Sequence, residues 1–185
     1  VTIVMVLDPF VEDPEAQAAI ARAGILSRFP GAIDLTDETG PTAQYELSGF
    51  TWAAHSVSWR YNDAGRPASA SSSGVAPGAN TWNNVGADFA FTGGSASSAS
   101  SSVCAGQGRD GSNVVGWASL DGSTLGVTCW TSNNGNGLEF DMQLDNSDRD
   151  WSQVDLQTVT LHEFGHALGI KHSKLPSCGT SSQPV

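Results

Sequence analysis

The segment Leu161-His162-Glu163-Phe164-Gly165-His166-Ala167-Leu168-Gly169-Ile170-Lys171-His172 holds three of the chain's 4 histidines. On a helix, His162 and His166 are four residues apart and so lie on one face, one turn above the other. Two imidazoles so placed can share one metal ion. Glu163 follows the first His directly, close enough to reach a metal-bound water without ligating the metal. Gly169 can take the left-handed conformation that ends a helix and turns the chain, which brings His172 back as a third ligand. Three nitrogens leave the fourth tetrahedral position open, and an open position separates a catalytic zinc site from a closed structural one. The spacing therefore predicts a water-activating zinc site with Glu163 as its base; a structural zinc beside an incidental Glu163 is the alternative. The remaining His55, between Ala54 and Ser56, reads as an ordinary surface or core histidine.

Such a site needs a helix and something to hold it. Asp155 can cap a helix whose Leu156, Val159 and Leu168 supply a buried face. Alternation in Val57-Ser58-Trp59-Arg60-Tyr61 predicts a strand that buries one side, and Val114–Leu120, Leu125–Trp130 and Leu138–Leu144 are three more strand candidates. The turn formers Asp121-Gly122 and Asn133-Asn134-Gly135-Asn136-Gly137 separate these last three. Residues 67 to 80 and 93 to 102 are rich in Ser, Ala and Gly. The end of the first stretch places apolar residues at helical spacing over Ala79–Val85, which predicts a short helix before the strand-like Phe89-Ala90-Phe91. The second stretch carries no apolar period and reads as an exposed loop. Ahead of all this, residues 1 to 44 have a different texture: Asp13 and Pro14 start a helix pattern running to Ala23, then turn-rich residues follow from Phe29 to Pro41. No internal repeat is visible.

A chain of 185 residues with 39% hydrophobic residues, 6 Trp and 7 Phe has enough apolar surface for one core, which excludes a disordered or collagenous chain. Acidic residues outnumber basic ones 19 to 8, and the resulting charge of -11 repels nucleic-acid phosphates and anionic membranes. No apolar run approaches the ~20 residues that span a bilayer, and Val1–Leu7 lacks the basic start of a signal peptide, so the chain reads as soluble or already processed. With 15% charged residues, its surface of hydroxyls, amides and carboxylates fits a secreted protein, and a monomer is expected. Cys104 and Cys129 flank a strand-like segment and suit a disulfide, with a free buried thiol as the alternative; Cys178 is left odd.

His162, Glu163, His166, Gly169 and His172 match the long zinc-binding motif of the metzincin metalloendopeptidases, and Ser173 after the third His resembles the matrixin branch, which includes matrix metalloproteinases and bacterial relatives. The astacin branch has Glu at that place. The likeness continues more weakly from Tyr45. Tyr45–Trp52 with Val57–Asn62 resembles the approach to the first strand, and Ala79–Phe91 the end of the first long helix and the second strand. Asp110-Gly111-Ser112-Asn113 with Trp117 is similar to the third-strand region of bacterial matrixins, and Leu138–Asn146 with Trp151 to the strand before the zinc-binding helix.

The resemblance implies an α+β, zincin-like fold: a twisted mixed sheet packed on a long helix and the zinc-binding helix, with a short or missing C-terminal subdomain. It covers a catalytic domain, 45–185, behind an N-terminal segment, 1–44, that is either a pro-segment or an N-terminal elaboration of the fold. It implies a zinc-dependent endopeptidase acting on protein or peptide substrates, with His162, His166 and His172 as ligands and Glu163 as general base. Leu125-Gly126-Val127-Thr128 would be the edge strand that holds an extended peptide antiparallel, an interior strand being the alternative. The family's methionine-containing turn lies beyond the third His, but Met5 and Met142 both precede it, so that turn is expected past Val185. The cysteine-switch peptide of mammalian pro-segments is absent, and Asp34 or Asp37 would have to cover the zinc. Structural calcium could be held by Asp110–Asn113 or Asp145–Asp150, which otherwise read as solvated acidic turns. Two other functions compete with the peptidase: a zinc-containing peptide-binding module or inactive fragment without catalysis, and an amidase acting on a non-protein substrate.

Overall fold

The computed structural model describes residues 2–6, 46–147 and 149–172. The helix pattern at 13–23, Asp34 and Asp37, Ser173 and Cys178 lie outside the described residues. The strands are β1 (Thr2–Val6), β2 (Glu46–Leu47), β3 (Ser56–Tyr61), β4 (Ala90–Ala96), β5 (Val114–Ala118), β6 (Gly126–Asn133), β7 (Asn136–Asp145) and β8 (Ile170–Lys171), and the helices are α1 (Val75–Asn83) and α2 (Leu156–Ala167). Six strands form one sheet in the order β1-β6-β7-β5-β3-β4; β2 and β8 form a separate antiparallel pair. Neighbours from β4 to β7 run parallel, whereas β6 is antiparallel to β7 and β1 is antiparallel to β6. The class is α+β, as the sequence predicts, with a mixed sheet.

Strand alternation decides which residues face the helices. On β7, Phe140, Met142 and Leu144 are fully buried in the main core, while Glu139, Asp141 and Asp145 point to the other side and are also fully buried. The cover on that second side is the long connection after β4, whose Val103 packs with Val127 and Cys129 of β6. Cys104 and Cys129 are joined by a disulfide across a Cα–Cα distance of 5.2 Å, tying this connection to the sheet. Two buried carboxylates tie it further. Asp141 accepts from the backbone N–H groups of Val103 and Val114, both at 2.8 Å, and Glu139 accepts from Asp110 N–H at 3.0 Å and from Gly111 N–H.

Three sequence readings need correction. The stretch 93–102 is not a loop throughout, because β4 continues to Ala96 and Ser101 and Ser102 are buried. Gly93 and Gly94, at φ of 112° and 81°, carry β4 past a bulge opposite Trp59, where any side chain at 93 would strike the Trp59 carbonyl. The first helix begins at Val75, earlier than the apolar spacing marks, and its 9 residues span only about 13 Å, so it is not long. The turn at 133–137 contracts to Asn134-Gly135, both at positive φ (49° and 76°), so β6 and β7 form a tight two-residue hairpin. Among the described residues no helix is long and apolar enough to cross a membrane.

Candidate metal centre

Asp155 takes up the role its sequence position predicts, accepting from Gln157 N–H at 3.1 Å and from Thr158 Oγ1 at 2.6 Å at the start of α2. Phe164 then anchors the helix on the sheet, with ring centroids 4.8 Å from Phe91 and 5.2 Å from Trp59. Two indoles hold it from the sides: Trp82 Nε1–H donates to the Leu161 carbonyl and Trp52 Nε1–H to the Ala167 carbonyl, each at 2.8 Å. The second bond satisfies a carbonyl that the helix end leaves without an intrahelical partner. The helix that carries Trp82, α1, comes close because Gly78 has no side chain; a Cβ there would lie 2.6 Å from Leu161 N.

Past Leu168 the chain turns at Gly169, whose φ of 97° is the left-handed conformation the sequence calls for. Strand β8 then pairs with β2 in the register Leu47↔Ile170, and Ser48 N–H donates to the Gly169 carbonyl at 2.7 Å. This clamp directs His172 back toward the helix. The three Nε2 atoms converge: His162 to His166 is 3.1 Å, His162 to His172 2.9 Å and His166 to His172 3.2 Å. A ring nitrogen either donates or accepts, so these three mutual approaches cannot all be hydrogen bonds. They suit a shared cation instead, since two nitrogens about 2.05 Å from one tetrahedral zinc stand about 3.3 Å apart.

Protonation favours the same reading. The Nδ1 of His166 donates to the Ile170 carbonyl at 2.6 Å, which fixes the tautomer and leaves Nε2 as a lone-pair donor toward the centre. Burial pushes His166 down to about 4, with the Ile170 carbonyl opposing and His172 adding to the shift. Burial, then the neighbouring His166 and His172, likewise hold His162 well below its ordinary value. These two rings are thus neutral at pH 7, the form that ligates. The described histidines that come together are the three at this centre, within 4.8 Å of one another.

Glu163 is 1% exposed and sits between α2 and β6. The Thr128 hydroxyl lies 2.6 Å from its Oε2, and Gly126 lies beneath its Oε1. Of the segment predicted to meet a peptide, Gly126, Val127 and Thr128 fall in β6, and Leu125 precedes it. The expected open edge is not what the structure has. Strand β1 pairs along it from Val6↔Gly126 to Thr2↔Trp130, so among the described residues β6 stands between two strands.

His55 is away from the centre, on the surface, where its Nδ1 lies 2.6 Å from an Asp88 carboxylate oxygen. The acidic stretches serve the backbone. Asp110 Oδ1 accepts from Ser112 N–H at 2.8 Å, and Asp145 accepts from Leu120 N–H and Ser147 N–H, each at 3.1 Å. The indole bonds of Trp52 and Trp82, the Ile170 carbonyl and the Thr128 contact have no local signal in the sequence, because each depends on residues brought together from distant segments.

A family model described as matrixin, of the M10 peptidases, matches residues 51–178 of this chain, a span containing all three convergent histidines and Glu163. No curated protein and no solved structure matches the chain significantly.

Proposed function

Because the chain belongs to the matrixin family, we propose that it is a zinc-dependent endopeptidase in which His162, His166 and His172 hold the metal and Glu163 is the general base. The observation that carries this reading is the convergence of three imidazole nitrogens, 2.9–3.2 Å apart, with a buried carboxylate, Glu163, on the helix that bears His162 and His166. When bound, zinc supplies a Lewis acid that polarises the scissile carbonyl and lowers the pKa of water toward ~7. Glu163 takes a proton from the attacking water as its oxygen adds to the carbonyl carbon, then delivers that proton to the amine nitrogen, so that the C–N bond breaks and a carboxylic acid and a free amine result. The Ile170 carbonyl keeps the His166 ring in its ligating tautomer throughout.

An extended polypeptide would bind along β6 through the backbone groups of Leu125–Thr128. The pairing of β1 there supports this, because it demonstrates that the edge accepts an antiparallel strand in regular register. The same pairing supports a blocking role for residues 1–44: β1 occupies the edge a substrate would need. The disulfide and the low content of charged residues, 15%, support a secreted protein.

The test is cleavage of unfolded casein by the full chain and by a chain lacking residues 1–44, each with and without a zinc chelator. Cleavage that the chelator abolishes supports the proposal. A chain that binds one zinc and cleaves nothing in either form would instead mark a non-catalytic peptide-binding module.

A further inference from the structure

Thr128 is fully buried on the face of β6 that meets α2, and its Oγ1 stands 2.6 Å from Glu163 Oε2 and 3.1 Å from the Glu163 carbonyl. A hydroxyl has one proton, and the shorter contact takes it. Because Thr is β-branched, its χ1 is stiff in a strand, so this donor is held in place before any substrate arrives. Two residues earlier on the same face, Gly126 presents bare backbone to the other oxygen; a Cβ there would come within 2.7 Å of Glu163 Oε1 and 2.9 Å of its Cγ. One strand therefore fixes both ends of the carboxylate, by a donor at 128 and by the absence of a side chain at 126.

We propose that Thr128 is a positioning residue for Glu163: its hydroxyl holds Oε2 and so fixes the orientation of the carboxylate. This rests on the reading of Glu163 as the base. It extends that reading, since β6 then serves two purposes: its inner face orients the carboxylate and its edge receives the peptide. The base and the scissile bond are referred to one rigid element, and small errors in that geometry are costly to rate.

The experiment compares zinc-loaded wild type with Thr128→Val, which removes the donor while keeping the shape, and Thr128→Ser, which restores it. Thr128→Val should lower kcat about 10- to 100-fold, with KM and zinc content within about twofold, and Thr128→Ser should recover kcat to within about threefold. Unchanged kcat in Thr128→Val, or an equal loss in Thr128→Ser, overturns the proposal. If Thr128→Val does not fold, Thr128→Ala carries the same expectation. A second readout does not need activity: crystal structures should show one Glu163 conformer in wild type and Thr128→Ser but several in the variants without a hydroxyl. A single, unmoved Glu163 in those variants also overturns the proposal. Absence of chelator-sensitive cleavage by wild type would instead remove the peptidase reading, leaving the crystallographic comparison to decide whether Thr128 positions Glu163.

Discussion

What each histidine does with its second nitrogen decides whether the first can bind metal. His166 spends Nδ1 on the Ile170 carbonyl, and in the proposed function Glu163, one residue beyond His162, acts on water rather than on the metal. Glu163→Gln should therefore lose activity by roughly 10²- to 10⁴-fold while keeping its zinc, and His166→Ala should lose both; metal analysis beside a cleavage assay separates the two. A different side chain governs stability against pH. Burial raises the Asp141 carboxyl from 3.8 to about 7, outweighing the two N–H groups it accepts from. Between those values the folded protein keeps a proton that the unfolded chain gives up, so this contribution is complete below the lower value and is lost as pH rises through the upper one. Melting temperatures of wild type should accordingly fall against those of Asp141→Asn from pH 4 to about 7 and run parallel above. The approach of His162 to His166 could be read from spacing, because one helix turn brings them together, and that of His172 from the glycine that ends the helix. The contact of Thr128 with Glu163 could not, since it depends on where β6 passes under α2.

The two helices meet where Gly78 faces Thr160 and Leu161, and this close approach sets the height of α2 above the sheet. Gly78→Ala would push its Cβ against Thr160 Oγ1 and the Leu161 N–H, so thermal unfolding should show a loss of about 1–3 kcal/mol. On the far face of the sheet, the disulfide closes a sequence separation of 25 residues. Denaturant titration of Cys104→Ser/Cys129→Ser should reveal a cost of about 3–4 kcal/mol from loop entropy; no change would mean that Glu139 and Asp141 hold the connection unaided. Strands with clean alternation, such as β3 and β7, were legible as elements. The start of α1 and the extension of β4 were hidden in Ser-, Ala- and Gly-rich sequence, where backbone freedom and close packing against Trp59 and α2 replace apolar period as the determinant.

Across the whole molecule, residues 2–6 and 126–130 pair although more than a hundred residues separate them, and no local pattern announces such a pairing. If β1 blocks the edge, a chain lacking residues 1–44 should cleave an extended peptide faster than the full chain, with the gain chiefly in KM. Adding back a synthetic peptide of residues 1–7 in excess should suppress the gain; equal rates in the two forms would show that β1 is no obstacle. That the sheet is mixed was anticipated through resemblance; its strand order was not, because strand patterns carry no information on which strands become neighbours. The proposed function requires the three histidines to hold one zinc beside Glu163 as the base. It is tested most directly by titrating zinc into metal-free protein lacking residues 1–44 and following casein cleavage, with Glu163→Ala in parallel. Activity should rise to a plateau at one equivalent of zinc in the parent and stay absent in the variant, although both bind the metal. Cleavage that appears without zinc, or that the variant retains, would contradict the account.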